Sequence, residues 1–186
     1  TGGFLTNQDN NKINVQTAYT KDNYHLSATY SSQQGWDAWS YYATKDMYTG
    51  ASALTVNSDS VALRAWWRPE EAGTATPSIS VGYDTISFSG RSDIAEGSGY
   101  FVGLNWEDMF QPSDRIGLAF GQPLKATEAV AGATLSEVDP FLWELYYSFR
   151  PNDSIEVTPA IFGGTDVEDT TEDDIFGAVL TTTFKF

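Results

Sequence analysis

Residues Phe176–Phe186 read Phe-Gly-Ala-Val-Leu-Thr-Thr-Thr-Phe-Lys-Phe, and this stretch decides the fold. Successive side chains of an extended strand point to opposite faces, so residues two apart share a face. One face is mostly apolar and consists of Phe176, Ala178, Leu180, Thr182, Phe184 and Phe186. The other face consists of Gly177, Thr181, Thr183 and Lys185. The spacing predicts an amphipathic β-strand rather than a helix.

The same period of two recurs along the chain and predicts nine strands in all. The other segments are Ile13–Tyr19, Tyr24–Tyr30, Val61–Arg68, Ser78–Asp84, Tyr100–Trp106, Arg115–Gly121, Phe141–Phe149 and Ile155–Ile161. Trp36–Val56 fits two further strands or a long loop with a short helix, and periodicity does not decide between them. Ala126–Leu135 is expected to hold a helical turn inside a loop.

A repeated turn indicates how the strands are connected. Trp67–Glu71, Phe110–Asp114 and Phe149–Asp153 each read aromatic, polar, Pro, polar, acidic, and they recur about every 40 residues, the length of a barrel hairpin repeat. Proline presets the φ of a turn, and the polar residues after it suit a solvated corner. The opposite connections, expected at 87–98, 122–139 and 163–174, are longer. Short turns at one end and long loops at the other favour a transmembrane antiparallel up-and-down β-barrel over a sandwich.

Composition excludes several classes of protein. The 186 residues carry a formal charge of −15 and no cysteine, so nucleic acid is not an expected partner and disulfides are absent. No stretch offers the ~20 consecutive apolar residues of a transmembrane helix. This criterion does not detect barrel strands, which span the membrane with ~10 residues of alternating polarity. Thr1–Phe4 lacks the features of a signal peptide, so we expect any such segment to have been removed.

The end of the sequence and the aromatic residues point to a membrane. Outer-membrane barrels commonly finish on an aromatic residue that the assembly machinery reads, so Phe184 and Phe186 are the expected assembly signal. Rings at the membrane–water boundary form girdles. One girdle is expected near the short turns, at Tyr19, Tyr24, Trp67, Trp106, Phe110, Phe149 and Phe186, and a second near the long loops, at Tyr30, Phe88, Phe120, Trp143 and Phe162. Core packing is the alternative for any one of these rings.

The polar faces of the strands are expected to line a pore. The candidates are Lys12, His25, Arg64, Asp84, Asn105, Arg115, Glu144 and Glu156. Mixed charges along a pore wall filter small ions and polar solutes. Arg68 and Arg150, beside the turns, are better explained as anchors of the rim. The alternative is the solvated surface of a soluble protein.

A dense acidic loop is expected at the pore mouth, where it would concentrate cations. Its members are Asp166, Glu168, Asp169, Glu172, Asp173 and Asp174. Carboxylates also bind Ca²⁺, but the spacing of an EF-hand is missing, so a solvated acidic loop is the simpler interpretation and no metal site is predicted.

Catalytic patterns are missing from the sequence. His25 is the single histidine, which excludes multi-histidine zinc sites, and no glycine-rich phosphate loop occurs. Glu144 and Glu156 form a carboxylate pair that a glycoside hydrolase could use, but pore lining explains them equally well. We expect no enzyme activity and no cofactor. A soluble β-barrel or sandwich that binds a sugar or another small ligand is the main alternative to a pore.

Four runs resemble the Som-type porins of cyanobacterial outer membranes, which are related to the OprB-type carbohydrate-selective porins. They are Ala65–Gly73, Pro77–Tyr83, Gly117–Pro123 and Thr181–Phe186, and the likeness extends from about Val61 onward. The resemblance implies a homotrimeric barrel in the outer membrane that passes inorganic ions and small hydrophilic solutes, with carbohydrates or iron species among the solutes of related porins. The cell-wall-binding domain and helical spacer of that family are not present in residues 1–186.

Strand parity predicts that this single domain, residues 1–186, is the C-terminal portion of a larger barrel. If the last strand runs toward the periplasm, counting back through nine or eleven strands makes the first run the same way. Bacterial barrels have an even number of strands with both ends inside the cell, so at least one strand must be supplied from elsewhere. The region Ser31–Ser58 is the expected constriction.

Overall fold

One antiparallel sheet makes up nearly all of the described structure. The structure, a computed structural model, describes residues 12–34, 43–44, 47, 56–136, 138–166 and 174–185. Its strands are β1 (Lys12–Lys21), β2 (Tyr24–Gln34), β3 (Asn57–Trp67), β4 (Ser78–Ser89), β5 (Ile94–Glu107), β6 (Arg115–Ala129), β7 (Phe141–Asn152), β8 (Ile155–Thr165) and β9 (Ile175–Phe184). The order in the sheet is the order in the sequence. The all-β class, the up-and-down topology and the nine predicted strands are confirmed.

The sheet is not closed into a barrel within these residues. Each inner strand pairs with two neighbours, whereas β1 pairs with β2 alone and β9 with β8 alone. The sheet therefore has two free edges. No helix of the described part has the length and hydropathy that crossing a membrane requires.

The connections lie at two ends of the sheet, and their lengths differ from those predicted. At the turn end the strands are connected by residues 22–23, 68–77, 108–114 and 153–154. At the loop end the strands leave into the connections 35–56, 90–93, 130–140 and 166–174. The long loop expected at 87–98 is wrong, because β4 and β5 extend toward each other and leave only 90–93 between them. The turn after Trp67 is longer than predicted, continuing to residue 77.

Two local predictions are also wrong. The helical turn expected at Ala126–Leu135 is absent, because β6 continues to Ala129 and is followed by a turn in which Ala133 N–H donates to Val130 O at 2.9 Å. Pro151 does not sit in a turn but in β7, next to an irregularity in pairing between Phe149 and Asn152. Of Trp36–Val56, only Ala43, Thr44, Met47 and Val56 are described, so the choice between strands and loop lies mostly outside the described residues.

The pairing register keeps most of the apolar side chains of the nine strands on one side. Leu63 pairs with Ala28 on β2 and with Tyr83 on β4, and the same row continues across the sheet to β9. We call this side the apolar face. In β3 it consists of Val61, Leu63, Ala65 and Trp67, and in β9 of Phe176, Ala178, Leu180, Thr182 and Phe184. The opposite side is the polar face. Charged residues of the described strands occur on the apolar face only near strand ends, as at Lys21 and Asp59.

Pairs of glycine and aromatic residues shape the polar face. Gly82 pairs with Phe101, Gly117 with Tyr146 and Gly177 with Phe162. In each pair a Cβ added to the glycine would lie only 2.1–2.4 Å from the ring, so the ring lies flat on the glycine backbone. Strand curvature and close approach of this kind need glycine.

The loop end of the polar face carries the one buried apolar cluster of the described residues: Ala43, Met47, Val56, Ile86 and Ile94. Ala43 and Thr44 come from the connection between β2 and β3, yet they pair with Leu124 of β6, to which Thr44 N–H donates at 2.9 Å. Ala43, Thr44 and Met47 of this connection, which we call the crossing segment, therefore pack against the polar face of β4–β6.

Candidate functional site

All the residues predicted to line a pore lie on the polar face. The register places there Lys12, His25, Arg64, Asp84, Asn105, Arg115, Glu144 and Glu156. This placement shows that period two alone assigns the correct face to each residue.

The polar face is concave and encloses a trough of about 1020 Å³. Lys12 of β1, Glu144 of β7 and Ile175 of β9 all line it. Residues so far apart in the sheet meet at one cavity only if the sheet curls toward its polar face. The apolar face is therefore convex, and its large side chains remain in contact with the surroundings: Leu63, Leu145 and Leu180 are 46%, 40% and 67% exposed.

Arg64 and Asp84 form a fixed ion pair in the middle of this trough. Nη2 of Arg64 donates to both carboxylate oxygens of Asp84 at 2.8 Å, and Nη1 donates to the carbonyl of Leu63 at 2.9 Å. The guanidinium also lies 5.4 Å from the centre of the Phe101 ring. A planar guanidinium held on so many sides is well oriented, because its donors fit a carboxylate as a fork.

A second charged group lies nearer the turn end. Glu156 accepts from Arg115 at 2.9 Å, from Arg150 at 3.0 Å and from the Ser148 hydroxyl at 3.2 Å. These residues come from β6, β7 and β8, so the group ties three strands together across the polar face. Arg150, predicted as a rim anchor, makes its ion pair here.

The remaining candidates are not drawn into these groups. Glu144 and Lys12 line the trough and form no hydrogen bond or ion pair with the described residues. His25 stacks on Trp66 at 5.8 Å, and Asn105 accepts from the Tyr146 hydroxyl at 3.3 Å. Among the described residues, the polar face thus combines neutralised ion pairs with unpaired charges at Glu144 and Lys12.

The structure describes only some residues of the predicted mouth loop and of the predicted assembly signal. Asp166 and Asp174 are described at the loop end, where Asp166 accepts from the backbone N–H of Asp139 at 3.4 Å. Glu168, Asp169, Glu172 and Asp173 lie outside the described residues, as does Phe186. Phe184 lies on the apolar face and is 58% exposed. In the part of the chain that is described, no group of three or more His, Cys, Asp or Glu is arranged to hold a metal ion.

Two rings of the predicted loop-end girdle are on the wrong face. Phe88 and Phe162 share the polar face with Asp84 and Glu144. Phe162 covers Gly177, and Phe88 packs beside the buried cluster under the guanidinium of Arg91. Their distance from the strand ends placed these rings correctly near the loop end of the sheet. It did not show on which face of the sheet each ring lies.

Arg91 is a functional candidate that the sequence analysis missed. Its side chain is 1% exposed, and Nη1 donates to the carbonyl of Met47 at 2.8 Å. Nε and Nη2 donate to the two carboxylate oxygens of Asp93 at 2.8 Å. This arginine therefore fixes the crossing segment at Met47 to the short connection 90–93. We call Arg91, with its hydrogen bonds to Met47 and Asp93, the Arg91 anchor. The only sequence signal was the Arg-Ser-Asp spacing in a connection that was predicted to be a long loop.

Asp93 gives this anchor a pH dependence. Its hydrogen bonds from Arg91, together with one from the N–H of Ile94, lower the pKa of Asp93 to about 2. A carboxylate whose pKa is lowered by folding stabilises the fold above its ordinary pKa of about 4 and loses that contribution as pH falls through the folded value.

We expect an Asp93→Asn variant to lose the part of the stability that disappears between about pH 4 and pH 2. Urea unfolding midpoints at pH 5 and pH 2.5 measure it: the difference between the two midpoints should be smaller in the variant than in the parent protein. An equal difference in both proteins would mean that the anchor does not titrate as described.

Asp114 is a second carboxylate whose role was not foreseen. It is fully buried in the turn 108–114 and accepts from the N–H groups of Met109, Phe110 and Gln111 at 2.8–3.1 Å and from the Tyr147 hydroxyl at 3.0 Å. Burial alone would raise the pKa of Asp114, but these hydrogen bonds outweigh it and hold the pKa below its usual value. The acidic residue that ends the repeated turn motif is here a structural clamp.

Comparisons with known proteins give one similarity. No family model matches the chain, and no solved structure matches it. A protein of Nostoc sp. strain PCC 7120, described as uncharacterized, is 29% identical over 131 residues, which is 70% of this chain. The chain spans 22% of the length of that relative. The similarity therefore concerns one part of a longer polypeptide.

The two carboxylates that line the trough differ in their partners. Asp84 is paired with Arg64, whereas Glu144 forms no ion pair with the described residues. The trough can therefore attract a cation or a hydrogen-bond donor at Glu144.

Proposed function

We propose that this chain forms part of the wall of a β-barrel pore in the outer membrane, through which inorganic ions and small hydrophilic solutes diffuse. One observation carries the proposal: the register of nine strands exposes an uncharged apolar band on the convex face and gathers the charges on the concave face. In lipid, backbone polar groups must be paired within the protein, and closed barrels do so with strands. Their side chains alternate between apolar outside and polar inside.

The direction in which the sheet curves favours a membrane pore over a soluble ligand-binding barrel, because the apolar face is on the convex side. A soluble barrel keeps its apolar face inside. Here Leu63, Leu145 and Leu180 are exposed on the convex side, whereas Arg64 and Asp84 line the concave side. An exposed apolar face this continuous indicates contact with lipid or with other subunits.

The resemblance to Som-type porins supports the further parts of the proposal. They are localisation in the outer membrane, assembly as a homotrimer, and delivery by the assembly machinery that would read Phe184 and Phe186. The trough provides ion pairs and free charges for ions and small polar solutes, and sugars and iron species fall within that size class. Passive diffusion needs no catalytic group, so we propose no enzyme activity.

Reconstitution into planar bilayers tests the proposal. Protein produced with an export signal, recovered from outer membranes and purified in detergent, is expected to give stepwise conductance. The reversal potential in a salt gradient should show a preference for cations, because Asp166 and Asp174 lie at the loop end and the sequence between them holds four more carboxylates. That preference should weaken from 0.1 M to 1 M salt, as the Debye length falls from about 10 Å to about 3 Å.

The outcomes separate the parts of the proposal. Conductance without cation preference removes the acidic-mouth hypothesis and leaves the pore. A protein that stays in aqueous solution as a compact monomer at high concentration without detergent contradicts the pore itself. Hydrolysis of a glycoside that is lost on substitution of Glu144 would instead indicate an enzyme.

A further inference from the structure

The half of the polar face nearer the turn end carries more cationic than anionic side chains. In the described strands and the residues that adjoin them, the cationic side chains there are Arg68, Arg115, Arg150 and Lys185, and the carboxylates are Glu107 and Glu156. The carboxylates of the connecting turns, such as Glu70 and Asp153, lie beyond the strand ends. This part of the polar face therefore has a net positive charge, although the whole chain has a charge of −15.

Arg115 and Arg150 are held by one carboxylate. Nη2 of Arg115 donates to Oε1 of Glu156 at 2.9 Å, and Nε of Arg150 donates to Oε2 at 3.0 Å. The side chain of Glu156 is only 18% exposed, whereas those of the two arginines are 45% and 41% exposed. We call Arg115 and Arg150 the arginine pair. One carboxylate balances only one of the two guanidinium groups, so a positive charge is left over on the exposed side.

Two hydroxyl groups orient the carboxylate of Glu156. Ser148 Oγ donates to Oε1 of Glu156 at 3.2 Å, and Thr158 Oγ1 donates to Ser148 Oγ at 3.0 Å. Ser148 is 3% exposed, so this support is shielded from water. Glu156 in turn orients both members of the arginine pair before any solute arrives. Preorganisation of this kind raises affinity, because less conformational freedom is lost on binding.

Most hydrogen-bond donors of the arginine pair remain available to a solute. A guanidinium carries N–H groups on all of its nitrogens. Arg115 uses Nη2 and Arg150 uses Nε for Glu156, and neither arginine forms a further hydrogen bond or ion pair with the described residues. Nη1 of Arg115 and both terminal nitrogens of Arg150 can therefore donate to a solute on the polar face.

Glu107 is the carboxylate that competes with such a solute. It pairs with Arg115 in the register of β5 and β6, but its side chain accepts from Nδ2 of Asn105 at 3.4 Å and forms no ion pair with Arg115. Its charge therefore weakens the positive potential at the arginine pair without occupying the donors.

We propose that the arginine pair is a binding site for small oxyanions, such as phosphate, sulfate or a carboxylate, on their way through the pore. A guanidinium presents its N–H groups as a fork that matches two oxygens of one anion, and a second guanidinium can hold the same anion from another side. Chloride is a single atom and cannot use this geometry. The inference rests on the proposed pore and goes beyond it: the acidic mouth favours cations, whereas the arginine pair selects among the anions that enter.

Titration with inorganic phosphate at constant ionic strength tests the proposal in two ways. Calorimetry on the full-length protein in detergent measures binding, and single-channel recording in potassium chloride measures the effect on the current. We expect saturable binding and a saturable, reversible decrease of conductance. Arg150→Gln should raise the half-saturating phosphate concentration about tenfold or more, because hydrogen bonds to a charged group are lost. Arg150→Lys keeps the charge but loses the fork and should also bind phosphate more weakly than the parent protein.

Two further variants separate a binding site from a general effect of charge. Glu107→Gln removes the competing carboxylate and should lower the half-saturating concentration roughly twofold to fivefold, the range for an exposed charge pair. Because Glu107 does not belong to the group that ties β6, β7 and β8 together, this variant tests the site even if Arg150→Gln does not fold. Lys21→Gln removes a cation from the apolar face at the same end of the sheet and should leave phosphate binding unchanged.

The outcomes distinguish the site from the pore. A conducting protein whose current and calorimetry do not respond to phosphate would overturn the site and leave the pore standing. An equal change in Arg150→Gln and Lys21→Gln, or no tighter binding in Glu107→Gln, would also overturn the site. Phosphate binding in detergent that depends on Arg150, without conductance in bilayers, would support the site and contradict the pore.

Discussion

Replacing Leu63 with arginine is expected to destabilise the membrane-inserted protein by about 2–4 kcal/mol, the cost of an arginine facing lipid near the bilayer centre. Leu63 lies near the middle of β3 on the apolar face and is 46% exposed. On that face an arginine has no carboxylate near it, because charged residues there occur only near strand ends. Yield in the outer membrane should fall with the stability.

Ala62→Arg is the matched control for this variant. Ala62 precedes Leu63 on the same strand but lines the trough on the polar face, where it pairs with Asp84. Its arginine would face water and a carboxylate, so we expect little loss of stability. Urea titrations of both variants refolded into lipid vesicles measure the difference. Equal losses, or a greater loss for Ala62→Arg, would show that the apolar face does not contact lipid.

Removing the side chain of Arg91 is expected to release the crossing segment at Met47 and enlarge the pore. Arg91→Ala removes the arginine donor to the carbonyl of Met47 and both arginine donors to the carboxylate of Asp93, which keeps only the N–H of Ile94. A lost hydrogen bond to a charged group costs roughly 1.5–3 kcal/mol. It also removes the contact of the guanidinium with the Phe88 ring at 5.0 Å. We expect single-channel conductance to rise and larger solutes to pass.

Oxidation of Met47 provides a readout that does not depend on the pore. The side chain is fully buried, so peroxide should spare it in the parent protein and attack it in Arg91→Ala. Arg91→Lys keeps the charge but loses the fork geometry and should fall between the two. Arg64→Ala removes another arginine of the polar face, one that does not contact the crossing segment, and should leave Met47 protected. A protected Met47 and an unchanged conductance in Arg91→Ala would contradict the anchor.

Alternation of side chains was sufficient to predict the strands and their faces. In Ile13–Tyr19 or Phe176–Phe186 the apolar and polar positions differ so clearly that a shift of one residue would reverse the face. For the same reason the polar-face residues, including Arg64 and Glu156, were assigned correctly without any knowledge of their partners.

The connections were harder because turn residues do not fix where pairing stops. Residues 87–98 were predicted to form a long loop, but backbone pairing extends β4 and β5 across most of it. Pro151 suggested a turn, yet it lies in β7 beside a pairing irregularity, where proline is tolerated. Strand ends are decided by hydrogen bonds to a neighbour, and that neighbour is distant in the sequence.

The anchor at Arg91 could not be predicted for a related reason. Its acceptor, the carbonyl of Met47, precedes it by 44 residues and belongs to a segment with no periodic pattern. The importance of Asp114 was hidden in the same way, since Tyr147 and three backbone amides converge on it only after folding. The period of the side chains and the composition predict which face of the sheet a residue lies on. The contacts of Arg91 and Asp114 depend instead on where a connection lies against the sheet after folding.

The aromatic residues of the polar face have a consequence for the bore of a closed pore. Phe101, Tyr146 and Phe162 would obstruct the passage if their rings pointed toward its axis. Each ring instead lies flat against the glycine of the adjacent strand, so it extends into the passage by little more than the thickness of an aromatic ring. A larger residue in place of Gly82, Gly117 or Gly177 would push the facing ring toward the centre and narrow the passage at that level.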